Sequence, residues 1–300
     1  MNFLTLRQLR YFHVLAQEGH FGRAAESASI SQPALSMQIK ELEEGLGIQL
    51  FERTARQVRL TAFGELFSDR AVEILRSVDE LEDLARVSKG QLSGRFRLGI
   101  IPTIAPYLLP AVMQKLSADL PGLNLNVRES QTSNLINELI AGQLDVAIVA
   151  LPVSEKSLVE RALFEEEFML VRPRSDADLP IPSSDQLPEM RLLLLEEGHC
   201  FRDQALAFCN LQSLRPREML DGSSLSTLVQ LVDAGMGITL IPEMALEVET
   251  GSANVATAKF GPPVPKRTIG MVWRAKNPIA EQLSEIANML ETFFDNKGNA

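Results

Sequence analysis

Cys200 and Cys209 are the only cysteines in this 300-residue chain, and they share one segment: Gly198-His199-Cys200-Phe201-Arg202-Asp203-Gln204-Ala205-Leu206-Ala207-Phe208-Cys209. The segment also holds one of three histidines. Two thiols can do nucleophilic and redox chemistry, or they can simply fill space. Residues 201–208 read as an amphipathic helix, with polar Arg202, Asp203 and Gln204 set against apolar Phe201, Ala205 and Phe208. On an intact helix the two thiols would be separated by about 13 Å of rise and would point to opposite sides. A disulfide needs Cα atoms within about 7 Å. Two readings stay open: two unrelated buried thiols acting as small hydrophobes, or a bond that forms only when the helix comes apart.

The segments around this helix decide what it can meet. A strand at 191–195 and the turn Glu196-Glu197-Gly198 deliver His199 and Cys200 to a strand end. If Cys200 opens the helix, the free N–H groups and partial positive charge there favour an anionic sulfur, and His199 adjoins it as a donor. Thr103 follows Ile100-Ile101-Pro102, and Thr132 follows Glu129-Ser130-Gln131. Both threonines thus lie near strand ends, where ligands bind in α/β folds. Either could instead cap a helix. Arg267 could pair with a surface carboxylate.

From residue 95 the pattern alternates strands (96–101, 123–129, 144–151) with helices (107–120, 134–141). A second set follows: strands 167–171, 191–195, 216–220 and 238–241, the cysteine helix, and a helix at 224–234. Strand 268–273 and helix 279–294 return to the first set. Such βαβ alternation predicts buried parallel sheet. Two α/β units joined by two crossings would leave a cleft between them, with subdomain I at about 95–165 plus 268–300 and subdomain II at about 166–267.

Residues 1–60 predict three short helices. Leu6, Leu9, Phe12, His13 and Ala16 follow helical spacing up to Gly19; Ala24, Ala25 and Ala28 mark the second helix. Ser31 is a good N-cap for the third, Pro33 is tolerated in its first turn, and Leu35, Ile39, Leu42 and Leu46 form its apolar stripe. Gln32, Pro33, Ser36, Met37 and Lys40 occupy the opposite face. A helix-turn-helix that places its second helix in a major groove has this form. A two-armed wing over 50–61 adds Arg53, Arg56 and Arg59. A small helical domain with a solvated polar face is the alternative.

Residues 61–89 contain no proline, and their single glycine, Gly64, lies in the first turn. Phe67, Ala71, Ile74, Val78, Leu81 and Ala85 alternate spacings of four and three, a heptad seam. A lone helix of about 43 Å could not bury that stripe, so the seam predicts pairing with a second copy. A hinge at 90–94 (Gly90-Gln91-Leu92-Ser93-Gly94) follows.

Composition narrows the class. The length suits about two domains, and 45% apolar residues suffice for packed cores. No apolar run approaches the ~20 residues that span a bilayer. The N-terminus lacks a charged start followed by an apolar run, so a cytoplasmic protein with no membrane association is expected. A structural disulfide is not expected in a reducing compartment. The net charge is −10, yet residues 1–60 carry seven basic and six acidic side chains, so the acidity belongs to the remainder.

Phe21-Gly22-Arg23-Ala24-Ala25, Ser31-Gln32-Pro33-Ala34-Leu35-Ser36, Ile39-Lys40-Glu41-Leu42-Glu43, Leu46-Gly47 and Leu50-Phe51-Glu52-Arg53 resemble the DNA-binding domain of LysR-type transcriptional regulators. Gly142-Gln143-Leu144-Asp145-Val146-Ala147-Ile148 and Gly235-Met236-Gly237-Ile238-Thr239-Leu240-Ile241-Pro242 resemble their effector domains. The resemblance implies a winged helix-turn-helix at 1–60, a dimerising linker helix at 61–89, and a periplasmic-binding-protein-like α/β effector domain at 95–300 made of two Rossmann-like subdomains. It implies DNA contact through Ser31, Gln32, Pro33, Ser36, Lys40, Arg53 and Arg56, and a dimer seam of Phe67, Ile74, Val78 and Leu81.

The cysteine segment, with Ile101-Pro102-Thr103, Glu129-Ser130-Gln131-Thr132 and Arg267-Thr268-Ile269-Gly270, resembles the OxyR-type hydrogen peroxide sensors within that family. A thiolate that attacks peroxide becomes sulfenic acid, which condenses with a second thiol. The resemblance makes Cys200 the peroxidatic and Cys209 the resolving cysteine. Thr103, Thr132, His199, Asp203 and Arg267 would hold or polarise the peroxide. The run at 210–217 departs from the pattern. The expected partners are near-palindromic duplex DNA, hydrogen peroxide, a second copy or a tetramer, RNA polymerase, and a glutaredoxin- or thioredoxin-type reductant. No cofactor or metal is expected. The rival readings are a regulator answering a small organic effector and a thiol peroxidase enzyme.

Overall fold

The computed structural model describes residues 4–53, 58–87, 93–184, 186–187, 190–209 and 221–298. The strand expected at 216–220, the run at 210–217, Arg56 and most of the hinge at 90–94 lie outside the described residues. The chain divides into two compact units, Met1–Ala85 and Arg86–Ala300.

In the first unit, α1 (Leu6–Glu18) is opened by a capping box between Thr5 and Gln8 and closed by Gly19 at φ 59°. Helix α2 (Phe21–Ser27) is capped by His20, whose Nδ1 accepts from the backbone of Gly22 and Arg23. Helix α3 (Gln32–Leu46) starts from Ser31, whose hydroxyl accepts from Ala34, and stops at Gly47. Strands β1 (Phe51–Arg53) and β2 (Val58–Leu60) pair antiparallel. Glu43 fastens them to α3 by accepting from the Leu50 and Phe51 amides at 2.9 and 3.1 Å.

Helix α4 (Ala62–Val87) begins against that pair. A Cβ at Gly64 would stand 2.1 Å from the Leu50 carbonyl oxygen, so only glycine lets the first turn sit there. Phe12, Leu15, Leu35, Ile39 and Leu42 form the centre of the core, which Ala71 joins from α4.

The second unit is built on one nine-stranded mixed sheet. Its first half contains β3 (Gly94–Ile100), β4 (Leu123–Glu129) and β5 (Val146–Leu151), with β3 parallel to both neighbours. Helices α5 (Ala105–Asp119) and α6 (Thr132–Ile140) make the crossovers. The second half contains β7 (Leu192–Leu195), β8 (Asp221–Gly222) and β9 (Ile238–Pro242), again parallel, with α7 (Cys200–Phe208) and α8 (Leu225–Asp233).

The sheet is not purely parallel. Strand β6 (Leu158–Pro173) is 16 residues long where the sequence suggested only 167–171. It runs antiparallel to β11 (Lys266–Arg274), to β9 and to β10 (Val255–Lys259), and β11 is antiparallel to β5. These long strands pass from one half to the other and join two parallel sets into one sheet. Charged residues at the near end of β6 hid its length. Helices α9 (Leu246–Thr250) and α10 (Ala280–Gly298) complete the described residues.

Two separate hydrophobic clusters fill this unit. The first gathers β3, α5, α6, β5, β11 and α10 around Ile100, Val112, Leu135, Ile148 and Leu283. The second gathers the far end of β6 with β7, α7, α8 and β9 around Phe168, Leu193, Phe201, Val229 and Ile241.

Candidate functional site

Helix α7 lies between the two clusters, and its sequence explains how. Phe201, Ala205 and Cys209 recur every four residues, so they line one face. All three are buried in the second cluster, where the Phe201 ring meets Phe168 edge-on at 4.8 Å. Cys200 is the first residue of the helix and faces elsewhere: its half-buried side chain packs against the first cluster. Both cysteines are free thiols. Burial pushes the Cys209 thiol up to about 11.

One sequence reading needs correction. Arg202 is not on a solvated face; it is 8% exposed, and its Nη1 donates to the Leu195 carbonyl at 2.6 Å and to Asp221 at 2.7 Å. A single arginine therefore ties the first turn of α7 to the ends of β7 and β8. Gln204 is half-buried, and its Oε1 has no partner among the described residues. Asp203 alone of the three polar residues is exposed.

The turn before the helix is fixed twice. Gly198 has φ 95°, which strains any residue with a side chain. A Cβ there would also stand 2.5 Å from the Gln131 side-chain oxygen. Gln131 in turn donates to the Glu197 carbonyl at 3.4 Å. The contact joins the start of α6, where Thr132 is the first residue, to the turn carrying His199.

Neither threonine caps a helix. The N-cap positions of α5 and α6 are Ile104 and Gln131. Thr132 Oγ1 is buried and has no hydrogen-bond partner among the described residues, which leaves it open to a ligand. His199 is the N-cap of α7 but makes no side-chain cap bond. Burial pushes its imidazole below the usual range, opposed by Glu196, so it is neutral at pH 7.

Thr103 is 3% exposed and receives Arg267 twice: Nη1 to Oγ1 at 3.0 Å and Nη2 to the carbonyl at 3.2 Å. Arg267 pairs not with a surface carboxylate but with buried Glu166, and its guanidinium lies 5.2 Å from the centre of the Phe201 ring. Tyr107, on α5, packs against the second cluster and donates to Glu249 at 2.5 Å. The structure thus brings together Thr103, Arg267 and the start of α7. It sets Thr132 and His199 on either side of the Gln131–Glu197 contact.

Sequence reasoning missed Glu166, Arg202, Gln131, Tyr107 and Glu249. Glu166 sits in the run Glu165-Glu166-Glu167, which reads as solvated charge. Period-two alternation along a longer β6 would have turned it inward. Among the described residues no group of His, Cys, Asp and Glu could hold a metal ion, and no helix is long and apolar enough to cross a membrane.

In the first unit Gln32, Pro33 and Lys40 are exposed on α3, with Ser36 half-buried and Ser31 at the cap. Met37, 55% exposed, shares their face. Arg53 ends β1. Along α4, Phe67 meets the Phe12 ring at 5.0 Å within its own unit, and Val78 is half-buried. Ile74 and Leu81 are 42% and 64% exposed.

Residues 6–65 match the family described as bacterial regulatory helix-turn-helix protein, lysR family, and residues 89–295 match the LysR substrate binding domain. A probable hydrogen peroxide-inducible genes activator of Streptomyces viridosporus is 40% identical over 293 residues, 95% of this chain and 93% of that one. A full-length OxyR mutant from Pseudomonas aeruginosa superposes with a TM-score of 0.74 at 36% identity, over 96% of this chain and 94% of that one. A hydrogen peroxide-bound OxyR mutant from Corynebacterium glutamicum gives 0.66 at 37% identity, over 97% and 93%.

Proposed function

The chain belongs to the lysR family of bacterial regulatory helix-turn-helix proteins, and from that premise we propose that it is a hydrogen peroxide-sensing, DNA-binding transcriptional regulator. The observation that carries this reading is the position of α7, with Cys200 against one core and Cys209 inside the other.

Deprotonated Cys200 Sγ attacks one peroxide oxygen. The S–O bond forms as the O–O bond breaks, sulfur loses two electrons, and the departing hydroxide takes up a proton to become water. In this reading Thr103, with Arg267 donating to it, and His199 supply hydrogen bonds to the peroxide oxygens, and the Thr132 hydroxyl, without a partner among the described residues, supplies another. Asp203, exposed on α7, completes the set in this reading. Cys209 sulfur then attacks the sulfenic sulfur, and water leaves with the Cys209 proton. The second step requires α7 to unwind, because about 13 Å of helical rise separates the thiols.

Repacking of α7 changes the effector domain and thereby the arrangement of the helix-turn-helix domains on DNA. Gln32, Pro33, Ser36 and Lys40 read the groove, Ser31 fixes the helix start, and Arg53 and Arg56 contact phosphates from the wing. Ile74, Val78 and Leu81 pair with a second copy, while Phe67 serves mainly its own unit. The dimer, or a tetramer of two dimers, binds near-palindromic sites in the cytoplasm. Activation works through RNA polymerase, and a glutaredoxin- or thioredoxin-type thiol resets the switch.

Replacing Cys200 by serine separates this from a response to a small organic effector. The variant is expected to bind operator DNA identically with and without peroxide, and a retained response overturns the reading. Sustained peroxide turnover with an added thiol reductant would instead indicate a peroxidase.

A further inference from the structure

We propose that Glu166 is a positioning residue for the peroxide reaction, acting through Arg267 on the Thr103 hydroxyl. The inference rests on the reading above, in which Thr103 and Arg267 hold the peroxide.

Glu166 projects from the middle of β6 and is 7% exposed. Its Oε1 accepts from Arg267 Nε at 2.7 Å and lies 2.6 Å from Nη2, while Oε2 accepts from the Met244 amide at 3.4 Å. A guanidinium gripped along one edge has its plane fixed. The remaining donors must then point away from the carboxylate. They meet Thr103, with Nη1 on Oγ1 and Nη2 on the carbonyl. The Phe201 ring lies against the same guanidinium and closes it in.

The consequence is for the direction of one proton. Arginine has five donors and no acceptor, so Thr103 Oγ1 can only accept from it. The Thr103 hydroxyl hydrogen must therefore be donated to something else, and among the described residues no acceptor takes it. A cation on the oxygen also makes that proton a better donor. An oxygen leaving as hydroxide is the acceptor this arrangement suits. Glu166 has a second effect: it neutralises Arg267, so the buried cation need not claim the leaving hydroxide or the Cys200 sulfur as its own counter-ion.

The test uses the reduced full-length protein and two reagents. Hydrogen peroxide reports the positioned reaction, whereas iodoacetamide reports the access and nucleophilicity of Cys200. Glu166→Gln is expected to slow oxidation of Cys200 by peroxide about tenfold, less than the 10²–10³ lost when a transition-state donor is removed outright. Its alkylation by iodoacetamide is expected not to fall. Arg267→Met should slow the peroxide reaction at least as much. Adding Glu166→Gln to Arg267→Met should then change it less than twofold, and this double variant leaves no buried charge unpaired should Glu166→Gln alone fold poorly.

A parallel fall in both reagents' rates means a merely structural role and overturns the proposal. A further large fall in the double variant also overturns it, because Glu166 would then act without Arg267. If Arg267→Met slows the reaction and Glu166→Gln does not, the proposal fails and the peroxide-holding role of Arg267 stands. If neither slows it, both fail.

Discussion

Cys200 opens α7 and Cys209 caps its C-terminal end, but they belong to different cores: Cys200 packs against the first cluster, and Cys209 is fully buried in the second. The separation follows from the helical period, since nine steps of about 100° leave two side chains on opposite faces. A bond between them cannot form without withdrawing one thiol from its packing. The intact helix is what keeps the reduced state distinct from the oxidised one.

The first prediction concerns Cys209. Its thiol is raised from 9.0 to about 11 by burial, so the folded state holds the proton that the unfolded chain releases above pH 9. The stability this contributes is fully present below about pH 9 and is lost as pH rises from 9 to 11. Timed alkylation of the reduced protein at pH 8 should label Cys200 well before Cys209. Urea unfolding of Cys209→Ser should show a shallower fall in stability over pH 9–11 than the parent.

The second concerns Arg202. Arg202→Ala leaves the Leu195 carbonyl without its donor and removes the ion pair with Asp221. The expected cost is on the order of 2 kcal/mol in urea unfolding. Amide exchange in α7 should rise by more than exchange in α8. Equal changes in the two helices would mean that Arg202 supports the half as a whole rather than this helix.

The third concerns Tyr107. Its neighbours on α5, Leu108, Val112 and Leu116, belong to the first core, but its ring packs on the second and its hydroxyl reaches Glu249 on α9. Burial, then the hydrogen bond and charge of Glu249, raise the phenol above its usual range, so it is a donor at every physiological pH. Ser226 donates to the other Glu249 oxygen at 2.6 Å, entirely within the second half. Tyr107→Phe removes one hydrogen bond between the halves and keeps the ring. Stopped-flow measurement should show disulfide closure faster by severalfold, with sulfenic acid formation unchanged. Ser226→Ala should change neither step, and equal acceleration by both variants would contradict a bridge between the halves.

The fourth concerns self-association. Ile74 and Leu81 are exposed in the isolated chain, as is Leu66 at 67%, about two turns before Ile74. Ile74→Asp or Leu81→Asp should shift the protein toward monomer in sedimentation while leaving far-UV circular dichroism intact. Phe67→Ala should instead lower thermal stability, because it removes an aromatic contact inside its own unit.

Much of this was legible in the chain itself. Ser31, Pro33 and Gly47 bounded α3, and β4 fell at 123–129 as read. Cys200 stood at the helix start because the turn before it ends in glycine. What was hidden involved charge folded inward. Arg202 reads as polar until Leu195 and Asp221 are seen to surround it, and Glu166 until Arg267 arrives from a strand 101 residues away. Single-sequence periodicity reports which face a residue takes, not which distant partner makes burial of its charge tolerable. Strand β6 was cut short for the same reason. Its outer end is charged, and only pairing with β11 shows that the strand continues.

The state of the two thiols after peroxide tests the proposed switch most directly. Full-length protein, reduced and then given a few equivalents of hydrogen peroxide, can be blocked, digested without reduction and mapped by mass. A Cys200–Cys209 linked peptide should appear only after peroxide and vanish with a thiol reductant. If both cysteines remain free, or Cys200 proceeds to sulfinic acid while Cys209 stays a thiol, the helix does not act as a switch.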